Sequence, residues 1–207
     1  MPKIWIQIFM TRPLVKLHRA RGKRYFYSKL NGCDVHPESL LERNFAIRQE
    51  FCDQVVEYAC QPETAHGETG ERSPDFLLEY ADGTFEYIEV HREKDVDDEY
   101  REELNEFNLY FLATSQRPFR LVLDTEMCDI ETDNLNFLYE YRHIGWPHKP
   151  INLPESITFG ELLLMCEQQL TLPVLESKIT ALTLLADKHY EFNLSEDLNN
   201  DTLLRKR

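Results

Sequence analysis

One segment of the chain restricts the possible folds more than any other, because two apolar strands flank a tight turn. Residues 75–80 and 85–91 are rich in aromatic and branched side chains, and the four residues between them include an Asp-Gly pair. Such a pair favours the turn of a β-hairpin. Antiparallel pairing would bring Asp75 level with Glu89 and with His91, two residues further along the same face. The sequence therefore predicts a hairpin with acidic residues near its open end.

Helices and strands alternate on both sides of this hairpin. Apolar residues at helical spacing, with Pro37 at a first turn, predict a helix from residue 37 that gives way to a strand-like pattern at 55–58. The other predicted elements are helices at 92–110 and 130–142, a strand at 119–123 and a polar loop at 63–73. This order favours an α/β fold in which helices flank a mixed sheet.

Residues 145–150, Gly-Trp-Pro-His-Lys-Pro, interrupt the alternation and predict a domain boundary. We therefore expect a larger domain at 1–150 and a small module at 151–207. The module's predicted elements are a helix capped by Ser156 or Thr158, a second helix at 174–188 and a strand at 190–194. Two helices joined by a turn and followed by a strand favour a small winged-helix-like module.

Charge is distributed unevenly along the chain. Of the 23 Lys and Arg residues, eight lie in residues 1–30, whereas all 37 Asp and Glu residues follow residue 30. The net charge of −14 argues against a nucleic-acid partner, but a basic arm with interleaved aromatic residues is suited to the DNA backbone. The alternative is an arm that docks on the protein's own acidic surface. The residues predicted to contact DNA are Arg19, Arg21, Lys23 and Arg24.

The sequence also predicts a location away from membranes. No apolar run approaches the roughly 18 residues that span a bilayer. The N-terminal apolar stretch is short and lacks a small-residue cleavage site. The five cysteines are widely spaced and match neither a zinc motif nor a disulfide framework. We therefore expect a cytoplasmic protein with no membrane partner.

Three acidic residues are the candidates for chemistry: Glu42 on the first predicted helix, and Asp75 and Glu89 on the hairpin. Hydrolysis of a phosphodiester requires an activated water and stabilisation of extra negative charge, and Mg²⁺ provides both. Mg²⁺ prefers oxygen ligands and takes only one or two carboxylates from the protein. Buried carboxylates without a cation would repel one another and raise their own pKa values. Such a cluster therefore predicts a metal site.

Several segments resemble TnsA-type transposon endonucleases, a family with the PD-(D/E)XK nuclease signature. Here the signature is Pro74-Asp75, an interval, and Glu89-Val90-His91. The resemblance extends over roughly residues 20–204. Its segments, which occur in the order and spacing of that family, are 25–29, 38–45, 61–62, 73–78, 87–90, 118–123, 134–139, 197–198 and 202–203.

The resemblance implies a restriction-endonuclease-like catalytic domain and a winged-helix-like C-terminal domain. TnsA-like proteins cut the 5′ ends of a transposon, a DDE-type transposase (TnsB) cuts and joins the 3′ ends, and an AAA+ regulator (TnsC) contacts the complex. The implied substrate is therefore double-stranded DNA at transposon ends, with Mg²⁺ as cofactor or Mn²⁺ in its place. The implied catalytic residues are Glu42, Asp75, Glu89 and His91, and the implied metal ligands are Glu42, Asp75, Glu89 and Val90.

His91 departs from the family, since most relatives have lysine at this position. Histidine can orient water and act as a base near neutral pH, but it lacks the permanent charge that balances phosphate. Lys94 or Arg92 could supply that charge. Two alternatives remain open: a catalytically weakened module that bridges transposase and regulator, and a stand-alone restriction-type nuclease.

Overall fold

The computed structural model describes residues 25–67, 70–144 and 151–207. These residues belong to two compact units, of which the first ends at Met127 and the second begins at Cys128. The elements of the first unit are β1 (Phe26–Ser28), β2 (Cys33–Val35), α1 (Leu40–Glu50), β3 (Val55–Cys60), β4 (Ala65–Gly67), β5 (Gly70–Arg72), β6 (Phe76–Tyr80), β7 (Phe85–His91), α2 (Asp98–Ser115) and β8 (Phe119–Leu123). Those of the second unit are α3 (Asp129–Tyr139), β9 (Ser156–Thr158), α4 (Phe159–Leu170), α5 (Val174–Ala186), β10 (Tyr190–Glu191) and β11 (Leu203–Lys206).

A four-stranded mixed sheet forms the centre of the first unit. Its strand order is β3-β6-β7-β8. β6 is antiparallel to both β3 and β7, and β8 runs parallel to β7. Gly83, in the turn between β6 and β7, has a φ of 83°, a conformation that glycine adopts without strain. The predicted hairpin and the α/β class with a mixed sheet are therefore confirmed.

Apolar side chains cover both faces of this sheet, because successive residues of β7 point in opposite directions. Ile88 and Val90 pack in a cluster that includes Phe45 of α1. Tyr87, on the other face, packs in a cluster that includes Phe107 of α2. Burial of each such side chain contributes about 1.5–3 kcal/mol. The sheet is thus held between α1 and α2.

The N-terminus of α1 lies three residues after the predicted start. Ser39 has an extended backbone and its hydroxyl accepts a hydrogen bond from the backbone N–H of Glu42 at 3.0 Å. A serine in this conformation caps a helix and fixes where it begins. Pro37 therefore precedes the helix, and the cap places Glu42 in its first turn.

Two predictions for this unit were incomplete. The segment 63–73, expected as a loop, contains the paired strands β4 and β5, and a further pair, β1 and β2, was not predicted. Strands of three residues are too short to show a hydrophobic period. The predicted helix at 92–110 begins at Asp98, after the N-cap residue Asp97.

The described residues of the second unit, 128–144 and 151–207, form three helices and a three-stranded antiparallel sheet of order β10-β11-β9. The hydroxyl of Thr158 accepts a hydrogen bond from the backbone N–H of Glu161, whose carboxylate accepts one from the backbone N–H of Thr158. This reciprocal cap begins α4 where the sequence predicted a helix start. The helices α4 and α5 pack against each other.

The helix α3 belongs to the second unit, so the division at 127/128 differs from the expected boundary at 150/151. It packs on α5, and the Asn134 side chain donates hydrogen bonds to the carbonyls of Leu194 and Glu196 at 2.9 and 2.8 Å. These contacts join residues about 60 positions apart, which a local pattern does not reveal. The segment 145–150, predicted as the domain boundary, lies outside the described residues.

The predicted DNA-contacting residues of the N-terminal arm, Arg19, Arg21, Lys23 and Arg24, also lie outside the described residues. Their assignment therefore stays a prediction. Among the helices that the structure describes, none is long and apolar enough to cross a membrane.

Candidate active site

Asp75 and Glu89 are brought together by the register of the hairpin. Asp75 directly precedes β6, in which Phe76 pairs with Ile88. Continuing this register by one residue places Asp75 opposite Glu89. Directly opposed residues of antiparallel strands project from the same face, with Cβ atoms about 4.5–5.5 Å apart. The pairing that the sequence predicted for these two carboxylates is thus provided by the fold.

The Asp75 carboxyl is buried in an environment that opposes its charge. Burial is the largest influence and, together with the nearby Glu89 and Glu42, raises its pKa to about 8. The backbone N–H of Val90 acts in the opposite direction, since it donates a hydrogen bond to Asp75 Oδ2 at 2.8 Å. At neutral pH without a cation, this carboxyl is therefore largely protonated.

The two oxygens of Glu89 differ in their contacts. Oε1 accepts hydrogen bonds from Arg72 Nη1 at 2.8 Å and from the Tyr100 hydroxyl at 2.9 Å. Oε2 is buried and has no hydrogen-bond partner within the described part of the chain. Burial raises the pKa of Glu89, whereas Arg72 and the Tyr100 hydrogen bond lower it. A buried oxygen without a donor is costly, and a bound cation would satisfy it.

Glu42 lies in the first turn of α1 and is buried. Its Oε2 accepts a hydrogen bond from the backbone N–H of Glu38 at 2.7 Å. Its charge acts on both Asp75 and Glu89, in each case raising the pKa. All three predicted carboxylates thus lie within electrostatic range of one another.

Val90 can contribute its backbone carbonyl to the site. The N–H of Val90 already bonds to Asp75, and the N–H and C=O of a strand residue point to the same side. The Val90 carbonyl therefore faces the side on which Asp75 lies.

His91 ends β7 on the same face as Glu89. Its ring lies against Tyr100, with the ring centroids 4.7 Å apart and the planes inclined by 47°. Tyr100 therefore contacts both His91 and Glu89. His91 is near the predicted site, in a position set by the first turn of α2.

A positively charged side chain beside the site belongs to Arg72, a residue that the sequence did not identify as functional. Arg92 and Lys94, the two residues that could supply positive charge according to the sequence, are exposed, whereas Arg72 bonds directly to Glu89. Arg72 ends the strand β5, in a segment expected to be a loop. The sequence offered one indication that Arg72 belongs to the site, its position three residues before Asp75. Its contact with Glu89 is visible only in the fold.

The donors fit a hard divalent cation, although the side chains do not form a complete site. Within the described residues, no three His, Cys, Asp or Glu side chains are close enough together to hold a metal ion. Asp75, Glu89 and the Val90 carbonyl nevertheless supply oxygen donors only, and Glu89 Oε2 lacks a partner. Mg²⁺ commonly takes one or two carboxylates and keeps several waters. The arrangement therefore fits Mg²⁺ or Mn²⁺ better than a metal whose ligands must all come from the protein.

Comparison with known proteins does not assign the chain to a family. No family model matches the sequence, and no curated protein is significantly similar to it. The geometry of Asp75, Glu89 and Val90 and the resemblance to TnsA-type endonucleases are therefore the indications of function.

Proposed function

We propose that this protein is a metal-dependent endonuclease that hydrolyses phosphodiester bonds in DNA. The observation that carries the proposal is the opposed pair Asp75 and Glu89, with Glu89 Oε2 buried and without a donor in the described part of the chain. Asp75, Glu89 and the Val90 carbonyl would hold Mg²⁺ or Mn²⁺. When bound, the metal would stabilise phosphate charge and lower the pKa of a coordinated water.

The other residues of the site prepare the reaction. Glu42 adds negative charge close to Asp75 and so strengthens the attraction for a cation. His91, on the same face as Glu89, is placed to accept a proton from water or to orient it. Arg72 holds Glu89 and keeps a positive charge beside the carboxylates.

The role in transposition rests on the resemblance to TnsA-type endonucleases. The second unit supports this role, because its element order α3, β9, α4, α5, β10, β11, with β11 between β9 and β10, is compatible with a winged-helix-like module. The central sheet held between α1 and α2 is compatible with a restriction-endonuclease-like core. In this role the protein would cut the 5′ ends of a transposon in the cytoplasm, with a DDE-type transposase and an AAA+ regulator as its partners.

A second candidate is a catalytically weakened module that bridges transposase and regulator. The observation in its favour is that, among the described residues, no three potential ligand side chains are close enough to hold a metal. His91 in the position of the family's lysine points the same way. The two candidates differ in whether a divalent cation binds at Asp75 and Glu89.

The deciding experiment measures nicking of a labelled transposon-end duplex with Mg²⁺ or Mn²⁺, in the presence and absence of the partner transposase. We expect the parent protein to cut the duplex and Asp75→Ala to be inactive. Glu99→Ala, which removes an exposed carboxylate from α2, is the matched control and should cut normally. Equal cutting by parent and Asp75→Ala would reject the proposed site. A parent protein that neither binds metal nor cuts would favour the bridging module.

A further inference from the structure

The Glu89 carboxylate is fixed through one of its oxygens. Oε1 accepts two hydrogen bonds, from Arg72 Nη1 at 2.8 Å and from the Tyr100 hydroxyl at 2.9 Å. Both donors hold the same oxygen, so rotation of the carboxylate would break both bonds. Oε2 is left without a donor in the described part of the chain. Glu89 therefore has one specific oxygen, Oε2, whose hydrogen-bonding capacity is unused among the described residues.

Arg72 is itself held from several directions. Its Nη2 pairs with Glu103 Oε1 at 3.1 Å, and its Nη1 lies 3.1 Å from the Tyr100 hydroxyl. Its guanidinium carbon lies 4.9 Å from the centre of the Tyr100 ring and 5.5 Å from that of Phe107. These partners all belong to α2, so one helix fixes the orientation of the guanidinium.

This arrangement uses properties that are specific to arginine. The guanidinium is planar and presents several N–H donors in fixed directions, so it can bond to Glu89 and Glu103 while it stacks on a ring. A lysine ammonium is a compact point charge and cannot reproduce this geometry. Tyr100 contributes in two ways, as the second donor to Glu89 and as a stacking surface.

We infer that Arg72, with Tyr100, is a positioning residue that orients Glu89 so that Oε2 faces a divalent cation held jointly with Asp75. The inference rests on the proposed function, because it assumes that a cation binds there. It adds to the proposed function that residues of β5 and α2 set the orientation of the metal ligand Glu89. Groups that orient metal ligands typically change metal affinity by about 10–100-fold when removed.

The test is a Mn²⁺ titration of the full chain, in which electron paramagnetic resonance measures free Mn²⁺. Arg72→Met removes the guanidinium but keeps an unbranched stem, and we expect it to weaken Mn²⁺ binding by about 10–100-fold. Arg72→Lys should recover part of this loss, and Tyr100→Phe should weaken binding by a smaller factor. Arg120→Met is the control, since it removes an exposed ion pair with Glu126 in the same unit and should leave binding unchanged.

Asp75→Asn separates failure of this inference from failure of the proposed function. A parent protein that does not bind Mn²⁺, or whose binding is unaffected by Asp75→Asn, overturns both. Binding that requires Asp75 but is the same in Arg72→Met and Tyr100→Phe as in the parent overturns the positioning role alone. Circular dichroism verifies folding of each variant, and Tyr100→Phe decides the question if Arg72→Met does not fold.

Discussion

Asp75 occupies a site that disfavours its own ionised form, because burial and two neighbouring carboxylates all raise its pKa. The value of about 8 in the folded protein exceeds the ordinary value of 3.8, so the unfolded chain loses this proton first as pH rises. The contribution of Asp75 to stability therefore declines from about pH 4 upwards and becomes constant above about pH 8. This is the behaviour expected of a ligand whose charge is compensated only when a cation is bound.

Asp75→Asn should consequently stabilise the metal-free protein at pH 7. We expect an increase of about 1–3 kcal/mol in the free energy of unfolding, because the neutral amide avoids burial of a charge while its oxygen can still accept from Val90. The increase should be nearly absent at about pH 3, below the ordinary pKa of 3.8, where Asp75 is protonated in both the folded and the unfolded protein. Urea denaturation at both pH values, with and without Mn²⁺, measures the effect. An equal free energy of unfolding for parent and variant at pH 7 would show that the Asp75 carboxyl does not destabilise the metal-free protein.

His91 tests whether histidine has replaced the family's lysine in function. His91→Ala should slow DNA cleavage by roughly 10²–10⁴-fold, the usual contribution of a positioned acid–base group, with little change in metal affinity. His91→Lys should retain or increase activity and extend it to lower pH, because an ammonium keeps its charge. The cleavage rate at saturating Mn²⁺ across a pH series is the measurement. If His91→Ala cuts as fast as the parent while Asp75→Ala is inactive, His91 is not part of the mechanism.

At the scale of elements, Gly160 determines how closely α4 approaches the segment between β10 and β11. Its N–H donates to the carbonyl of Asn200 at 2.8 Å, and a Cβ added at residue 160 would lie 3.0 Å from that oxygen. The same Cβ would lie 3.2 Å from the Cβ of Asn200. Because backbone atoms form part of the contact, the two segments would have to move apart.

Gly160→Ala should therefore destabilise the second unit, although alanine normally favours a helix by about 1 kcal/mol over glycine. We expect a net loss of about 1–3 kcal/mol from overpacking. Glu167→Ala, at an exposed position of α4, is the control and should change stability by less than about 0.5 kcal/mol. Thermal unfolding followed by circular dichroism compares the two variants. A Gly160→Ala protein as stable as the parent would mean that the segment around Asn200 moves away from α4 without a loss of stability.

At the scale of the whole molecule, the division at 127/128 predicts which fragment folds alone. A fragment of residues 128–207 should unfold cooperatively, because it retains α3, which packs on α5 and holds the Leu194 and Glu196 carbonyls through Asn134. A fragment of residues 151–207 lacks these contacts and should lose the cooperative transition. Circular dichroism melting curves of both fragments make the comparison. Equal melting temperatures of the two fragments would show that the second unit folds without α3, and would favour the expected boundary at 150/151.

The basic N-terminal arm should determine the salt dependence of DNA association. Joint replacement of Arg19, Arg21, Lys23 and Arg24 by alanine should weaken association, and each lost phosphate contact should lower the slope of log K against log salt by about one. Lys178→Ala with Arg205→Ala, in the second unit, is the control and should change the slope little. Fluorescence anisotropy on a duplex at several salt concentrations gives the slopes. An unchanged slope in the arm variant would favour an arm that docks on the protein's own acidic surface.

The sequence by itself determined the features that depend on neighbouring residues. Aromatic and branched side chains on either side of an Asp-Gly turn predicted β6 and β7 and brought Asp75 level with the segment Glu89–His91, because a hairpin register follows from its turn. The sequence also predicted the start of α4 with Ser156 or Thr158 as its cap, since a cap depends on atoms within a few residues, and the structure has Thr158 in that position. The α/β class followed from the order of these elements.

Only the tertiary structure decided which distant residues complete the site and the units. Arg72 reaches Glu89 and Tyr100 through contacts that span 17 and 28 residues, and no local pattern specifies such pairs. The same holds for α3, whose place in the second unit depends on contacts about 60 residues along the chain. Local backbone preferences act over a few residues, whereas burial and ion pairing select partners by position in space. The sequence therefore identified the carboxylates, and the packing of β5 and α2 identified the arginine and tyrosine that hold one of them in place.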